Sequence, residues 1–335
     1  MKKLLFAVLV IVGLASCDGT KSFKINVNLE NSNGKTVYLQ RYEGDALKTL
    51  DSIVVEENKA VFKVKESENT DPFIITMKGI KGTFTVFADN QDVNVTGDCQ
   101  NLAEVTIKAS ESQEQIDALN TQVGNCANEE DIYYTVMSFV KENPDNAAGF
   151  YALYRYKWAF TYADLKNLLS LFPENKPSAY KQMAFDYCNK IEQTEPGHSF
   201  IDFTLPDVNG EDFTMSSVVG SSKIIILDFW ASWCPDCRKA NPELVALYNK
   251  YKDKGLDIVS VSLDENKDKW IKAIDDDNLS WKHHVSDLNR WKNNAAELYS
   301  IAFIPQSLVI DENGIILEKN LPFEKLEDLL ANRLK

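Results

Sequence analysis

The sequence has no cluster of lysine or arginine residues that would point to a nucleic-acid partner. The chain of 335 residues is acidic, because 50 Asp and Glu outnumber 36 Lys and Arg and give a net charge of −14. Most of its surface should therefore repel a polyanion, and nucleic acid is excluded as a partner. The hydrophobic fraction of 44% suits a globular protein of two or three domains.

Metal ligands are also scarce. The chain contains three histidines and a single Cys-x-x-Cys motif, at Cys234 and Cys237. A structural zinc site needs about four ligands, and the nearest candidates, His283 and His284, lie far along the chain. We therefore predict no metal site and no cofactor, with zinc as the minor alternative.

The longest apolar segment lies at the amino terminus and is too short for a comfortable membrane span. The segment "MKKLLFAVLVIVGLASC" places two lysines before apolar residues 4–14, in the layout of a secretory signal. Its end, Leu14-Ala15-Ser16-Cys17, resembles the lipobox of bacterial lipoproteins. The resemblance implies a signal peptide at residues 1–16, lipidation of Cys17 and an acylated chain outside the cytoplasm. An ordinary cleaved signal with an incidental cysteine is the alternative.

The remaining chain changes its hydrophobic period twice. Residues 21–110 alternate apolar and polar residues in short runs, which predicts a β-sandwich-like domain with a hairpin turn at Asn33-Gly34. Residues 111–195 have helical spacing. After a predicted linker at 194–198, residues 198–335 contain buried strands, helices, a hairpin and a closing helix, which predict an α/β sandwich with a central mixed sheet.

The segment "FWASWCPDC", residues 229–237, places the cysteine pair between a buried strand and a helix. Unpaired N–H groups and the helix dipole favour a thiolate at Cys234, and Cys237 is one turn further on. This spacing predicts that Cys234 attacks a disulfide and Cys237 resolves the mixed disulfide. Asp236 between them opposes stabilisation of the thiolate, which favours a reductase over a strong oxidase. A structural disulfide would close too small a loop to add much stability.

The segments "LDFWASWCPDC", "DIVSVSLDEN" and "FIPQSLVIDENG" together resemble the thioredoxin superfamily, specifically its TlpA- and ResA-like thiol-disulfide oxidoreductases. The preceding β-rich and helical regions resemble the amino-terminal domains of Bacteroidetes lipoproteins. This resemblance implies a thioredoxin-like fold for residues 198–335 and a redox-active Cys234–Cys237 disulfide.

The resemblance also implies roles for other residues. Ile304 and Pro305 match a cis-proline loop whose backbone pairs with substrate, and Asp228 matches a buried aspartate that transfers protons. Glu265 matches an acidic residue near the dithiol. Trp230 and Trp233 are expected to shield the dithiol, with Trp233 contacting substrate, although either could be ordinary core. Asp228 could instead be a paired structural acid and Glu265 a solvated one.

The three other cysteines lie outside the motif. Cys99 and Cys126 could form a structural disulfide and leave Cys188 inside a helix, and three buried free thiols are equally consistent with the sequence.

Together, these features predict a lipid-anchored thiol-disulfide oxidoreductase of the bacterial cell envelope, facing the periplasm. Its partners would be disulfide-containing proteins and an upstream membrane thiol reductant. Its task would be cytochrome c maturation or disulfide isomerisation. The added domains also allow a homodimer. A thiol peroxidase is disfavoured, because Ala231 stands where its signature has threonine. A binding lipoprotein that uses the module as a scaffold is disfavoured by the presence of both cysteines.

Overall fold

The computed structural model describes residues 21–335, so Cys17 and the predicted signal peptide lie outside the described residues. The chain forms two compact units. The first extends to Thr121 and also takes in Asn146–Ala148 and Glu174–Ala179, and the second comprises Gln122–Asp145, Gly149–Pro173 and Tyr180–Lys335. None of the helices within residues 21–335 is long and apolar enough to cross a membrane.

The first unit is built on eight strands, β1 Ser22–Glu30, β2 Thr36–Glu43, β3 Ala46–Val54, β4 Lys59–Lys65, β5 Phe73–Met77, β6 Phe84–Val86, β7 Val93–Asp98 and β8 Thr106–Lys108. They form two four-stranded sheets, in the orders β4-β1-β7-β8 and β3-β2-β5-β6. Alternate side chains of β1, namely Phe23, Ile25, Val27 and Leu29, are buried in one core with residues of both sheets. The predicted β-sandwich is confirmed, since period-two alternation buries one face of each strand.

The predicted hairpin at Asn33-Gly34 is wrong. The chain turns there, with Gly34 at φ +75°, but β1 pairs with β4 and β7 whereas β2 pairs with β3 and β5. The turn therefore connects the two sheets of the sandwich. A favourable turn sequence makes the chain reverse without fixing which strands then exchange hydrogen bonds.

Five helices follow, α1 Glu111–Gly124, α2 Glu129–Glu142, α3 Ala147–Arg155, α4 Tyr162–Leu169 and α5 Ala179–Glu192. Side-chain caps begin two of them: Asn128 accepts the Asp131 N–H of α2, and Thr161 forms a capping box with Asp164 of α4. The first of these helices begins at Glu111, shortly after β8 ends at Lys108.

The carboxyl-terminal part of the second unit contains strands β9 Thr204–Pro206, β10 Asp212–Thr214, β11 Ile224–Trp230, β12 Leu256–Ser262, β13 His283–Val285, β14 Gln306–Asp311 and β15 Ile316–Lys319. Its helices are α6 Pro235–Tyr251, α7 Lys267–Asp276, α8 Asn294–Leu298 and α9 Phe323–Arg333. A five-stranded sheet has the order β13-β12-β11-β14-β15. Its central strand, β11, is parallel to β12, antiparallel to β14 and buried at all seven positions. The predicted thioredoxin-like mixed sheet is confirmed.

The predicted linker at 194–198 is attached to this sheet. The Gly197 N–H donates to the Ile316 carbonyl at 2.8 Å, and the Ile316 N–H donates to the His198 carbonyl at 2.9 Å. Lys319 contacts Glu195 at 3.3 Å. Residues 194–198 are therefore hydrogen-bonded along the outer edge of β15 and do not form a free linker.

Candidate active site

The cysteine pair lies where β11 ends and α6 begins. Cys234 is the N-cap residue of α6, and its Sγ accepts the Cys237 N–H at 3.1 Å. The two residues form a disulfide with a Cα–Cα distance of 5.3 Å, and both are buried. After reduction, the same N–H and the positive end of the helix would stabilise a thiolate at Cys234.

The Ile304-Pro305 loop lies beside the disulfide. Its peptide bond is cis, as the resemblance implies, and the Ile304 carbonyl oxygen is 3.7 Å from the Cys234 Sγ. The sheet accounts for this position, because β14 begins opposite the end of β11, with Gln306 paired to Phe229. The exposed proline and its neighbour therefore border the sulfur that a substrate would reach.

Asp228 is buried in the central strand with 8% of its surface exposed. It accepts a hydrogen bond at 3.1 Å from the hydroxyl of Ser260, its partner residue in β12, and the Trp281 indole N–H donates to Ser260 at 3.0 Å. Burial raises the pKa of Asp228 to about 7, against the opposing effect of the Ser260 hydrogen bond. This carboxyl group can therefore exchange a proton near neutral pH.

Asp228 and Cys237 line one cavity of about 160 Å³, which also reaches Trp230, Asn241, Pro305 and Gln306. Its walls are largely apolar, but Asp228, Asn241 and Gln306 supply polar groups, and a cavity of this size with several polar partners can hold water. Asp228 and Cys237 therefore border the same space.

Glu265 lies at the protein surface. Its side chain is 61% exposed and forms an ion pair with Arg290 at 3.5 Å. The preceding residue, Asp264, is the buried acid: its carboxylate accepts from the Ser232 N–H at 2.8 Å, the Ser232 hydroxyl at 2.5 Å and the Ser262 hydroxyl at 2.8 Å. Asp264 therefore holds the loop that leads into Cys234.

Arg238 holds the same loop from its other side. Its Nη1 donates to the Ser232 carbonyl at 3.4 Å, while its guanidinium contacts both carboxylate oxygens of Asp277, one of them at 2.7 Å. The Asn241 amide also donates to Asp277, at 2.6 Å. Sequence reasoning missed Arg238 and Asp264. Polar residues at every second position, Ser260, Ser262 and Asp264, in an otherwise apolar segment are the signal that could have found the latter.

The two tryptophans of the motif have different environments. Trp230 is part of the core and lines the cavity, so it does not border the surface. Trp233 is 42% exposed and directly precedes Cys234. Of the two, Trp233 is the one available to contact a substrate.

The histidines considered as metal ligands and the three cysteines outside the motif do not belong to the dithiol site. His283 contacts Asp257 at 3.4 Å, and burial lowers the pKa of His284 to about 4. Within residues 21–335, no group of three or more His, Cys, Asp or Glu side chains could hold a metal ion. Cys99, Cys126 and Cys188 are free thiols, so the alternative disulfide between the first two is not formed.

Comparisons with known proteins match both parts of the chain. Residues 196–319 match the model of the AhpC/TSA family, and residues 23–116 match a domain of unknown function, DUF4369. The thiol-disulfide oxidoreductase ResA of Oceanobacillus iheyensis is 33% identical over 148 residues, which cover 42% of this chain and 73% of that protein. ResA of Bacillus cereus is 27% identical over 138 residues, 41% of this chain and 76% of that protein.

A solved structure of a thiol-disulfide oxidoreductase from Bacteroides fragilis is 32% identical, with a TM-score of 0.38, and covers 40% of this chain and 98% of that one. The sheet and the dithiol define the class of this protein as a thioredoxin-like thiol-disulfide oxidoreductase. Within that class, the chain belongs to the ResA/TlpA-type thiol-disulfide oxidoreductases.

Proposed function

We propose that the protein reduces disulfide bonds in other proteins of the bacterial cell envelope through Cys234 and Cys237. The observation that carries this proposal is the position of the dithiol. Cys234 caps α6 and faces the cis-proline loop, while Cys237 shares a cavity with a carboxyl group whose pKa is about 7. These positions support attack by the Cys234 sulfur and loss of the Cys237 proton to the carboxyl group.

The reaction has two exchange steps. The Cys234 thiolate attacks one sulfur of a client disulfide, forms a mixed disulfide and releases the other client sulfur as a thiolate, which takes up a proton. Cys237 passes its proton to Asp228 through the cavity and attacks the Cys234 sulfur. The bond between Cys234 and the client breaks, the second client sulfur leaves as a thiolate that takes up a proton, and a disulfide forms between Cys234 and Cys237. Two electrons have moved from the dithiol to the client.

The carboxylates around the dithiol support reduction as the direction of the reaction. Above pH 7, a charged Asp228 shares the cavity with Cys237, and Asp236 lies exposed in the first turn of α6. Negative charges near the sulfurs disfavour the thiolates relative to the disulfide. A couple with less stabilised thiolates has a lower reduction potential and is the better reductant.

The cellular part of the proposal rests on residues 1–17. Lipidation of Cys17 would hold the enzyme on the envelope membrane, facing the periplasm, where a membrane thiol reductant would reduce it again. Incorporation of a labelled fatty acid by the wild type and by Cys17→Ala tests this part. Equal labelling of the two proteins would refute the anchor.

The reduction potential of the Cys234/Cys237 couple tests the direction of the reaction. Equilibration of purified residues 18–335 against dithiothreitol buffers should give a value near or below the thioredoxin value of about −270 mV. A value near −120 mV, typical of strong oxidants, would refute the reductase and indicate an oxidase.

A trapping experiment tests the order of attack. Cys237→Ser should accumulate mixed disulfides with envelope proteins, because the resolving sulfur is missing, and Cys234→Ser should accumulate none. Trapped apocytochrome c would identify cytochrome c maturation as the task, whereas clients with several disulfides would identify isomerisation. Equal trapping by both variants would contradict the assigned roles.

A further inference from the structure

We propose that Trp291 and Arg290 form, together with Trp233, an aromatic surface that binds an apolar side chain next to the cysteine of a polypeptide client. This inference rests on the proposed protein-disulfide reduction and names its substrate class. Trp291 lies more than fifty residues from the Cys-x-x-Cys motif along the chain. The fold brings it beside the residue that precedes the attacking cysteine.

The two indoles are in contact and both are exposed. The ring centroids of Trp233 and Trp291 are 6.2 Å apart with an interplanar angle of 60°, and the exposed fractions of the two side chains are 42% and 45%. Phe303 directly precedes the cis Ile304-Pro305 peptide, whose Ile304 carbonyl oxygen is 3.7 Å from the Cys234 Sγ, and Phe303 is 38% exposed. Exposed aromatic side chains thus occur in both the dithiol loop and the segment that leads into the cis-proline loop, and such side chains mark a binding surface.

The segment that carries Trp291 is held in an unfavourable backbone conformation. Leu288 and Arg290 have φ values of 58° and 53°, which residues other than glycine rarely adopt. Asp287 fixes the turn by accepting from the Asn289 N–H at 3.2 Å, the Asn293 amide at 2.8 Å and the Asn294 N–H at 2.9 Å. The indole of Trp291 is therefore presented by an anchored turn and does not have to be ordered by the client.

The local charges indicate an apolar occupant. The Arg290 guanidinium lies 5.9 Å from the Trp233 ring and contacts the Glu265 carboxylate at 3.5 Å. This ion pair supplies one charge of each sign, so the surface does not select a charged side chain. Because Cys234 is almost buried, a client disulfide must come close to it, and residues flanking the client cysteine then meet the indoles. Leucine or an aromatic residue fits there better than a charged one.

The test compares a small disulfide with two peptides. The probes are hydroxyethyl disulfide and a short peptide closed by one disulfide, made with leucine or with serine beside each cysteine. Trp291→Ala should raise KM for the leucine peptide roughly tenfold with little change in kcat, as expected when an exposed tryptophan anchor is lost. Its rate with hydroxyethyl disulfide should equal that of the wild type, and Trp291→Phe should recover most of the loss.

Phe185→Ala is the matched control, because Phe185 is an exposed aromatic residue of α5 with 49% of its surface accessible. It should leave all three rates unchanged. An unchanged leucine-peptide KM in Trp291→Ala, or equal losses with hydroxyethyl disulfide, would overturn the inference. A wild type that reduces hydroxyethyl disulfide but neither peptide would instead refute protein-disulfide reduction itself, and the two failures are therefore distinguishable.

Discussion

Replacement of Asp228 by asparagine should stabilise the oxidised protein at alkaline pH. Burial raises the pKa of this carboxyl group from its ordinary value of 3.8 to about 7. One pKa unit corresponds to about 1.4 kcal/mol, so the charged form costs the folded state on the order of 4 kcal/mol. Asparagine keeps the shape and the oxygen that accepts from Ser260 but removes the buried charge.

The sign of the pH dependence follows from the raised pKa. Between about pH 4 and pH 7, the unfolded chain has lost the Asp228 proton while the folded protein keeps it. The folded state therefore binds more protons, and its stability falls as the pH rises through this interval. Above pH 7 the Asp228 carboxyl group is deprotonated in both the folded and the unfolded state, so its destabilisation of the folded state no longer changes with pH. The advantage of Asp228→Asn should thus be small near pH 4 and reach its full size above pH 7.

Urea unfolding of the oxidised proteins at pH 5 and at pH 8 measures this difference. Asp236→Asn is the matched control, since it removes the same charge from an exposed position in α6 and should change stability by less than about 0.5 kcal/mol. The reasoning is refuted if Asp228→Asn is no more stable than the wild type at pH 8, or if its advantage is equal at both pH values. The activity of Asp228→Asn should also lose an inflection near pH 7.

Two further substitutions test residues that support the site and the sheet. Asp264→Asn should lower the free energy of unfolding by about 3 kcal/mol, because a buried acceptor of three hydrogen bonds is altered. The neighbouring substitution Glu265→Gln should lower it by less than about 0.5 kcal/mol. Equal effects of the two substitutions in urea unfolding would contradict the structural role of Asp264. Gly314→Ala should cost about 3 kcal/mol, since its Cβ would lie 2.7 Å from the Phe200 ring at φ +78°. Gly210→Ala, at φ +86° with open space around it, should cost about 1 kcal/mol, and a Gly314 variant as stable as the Gly210 variant would exclude this steric clash.

The sequence predicts those features whose cause is local. Six of the seven residues of β11 are apolar, which identifies a buried strand, and Pro235 after Cys234 identifies the start of α6. The pairing of strands has no such local cause. The turn at Asn33-Gly34 is typical of a hairpin, yet its two strands join different sheets, because the partner of each strand is decided by burial across the whole sandwich.

Two adjacent acids, Asp264 and Glu265, follow β12 and have different environments. The role that the resemblance gives Glu265 near the dithiol stays a prediction, and Asp264 is the acid that the sequence analysis did not select. Alternate side chains of a strand share a face, so Asp264 follows Ser260 and Ser262 inward while Glu265 turns to solvent. Counting by twos from Ser260 would have selected Asp264.

This polar face of β12 also explains how the parts of the site are kept in register. Ser260 donates to Asp228, and Ser262 donates to Asp264, which in turn binds the residue two positions before Cys234. Strand β12 therefore positions both the Asp228 carboxyl group and the loop that carries Cys234. Ser260 and Ser262 belong to the same buried strand. A substitution that displaces β12 should therefore disturb the proposed proton transfer and the proposed nucleophilic attack together.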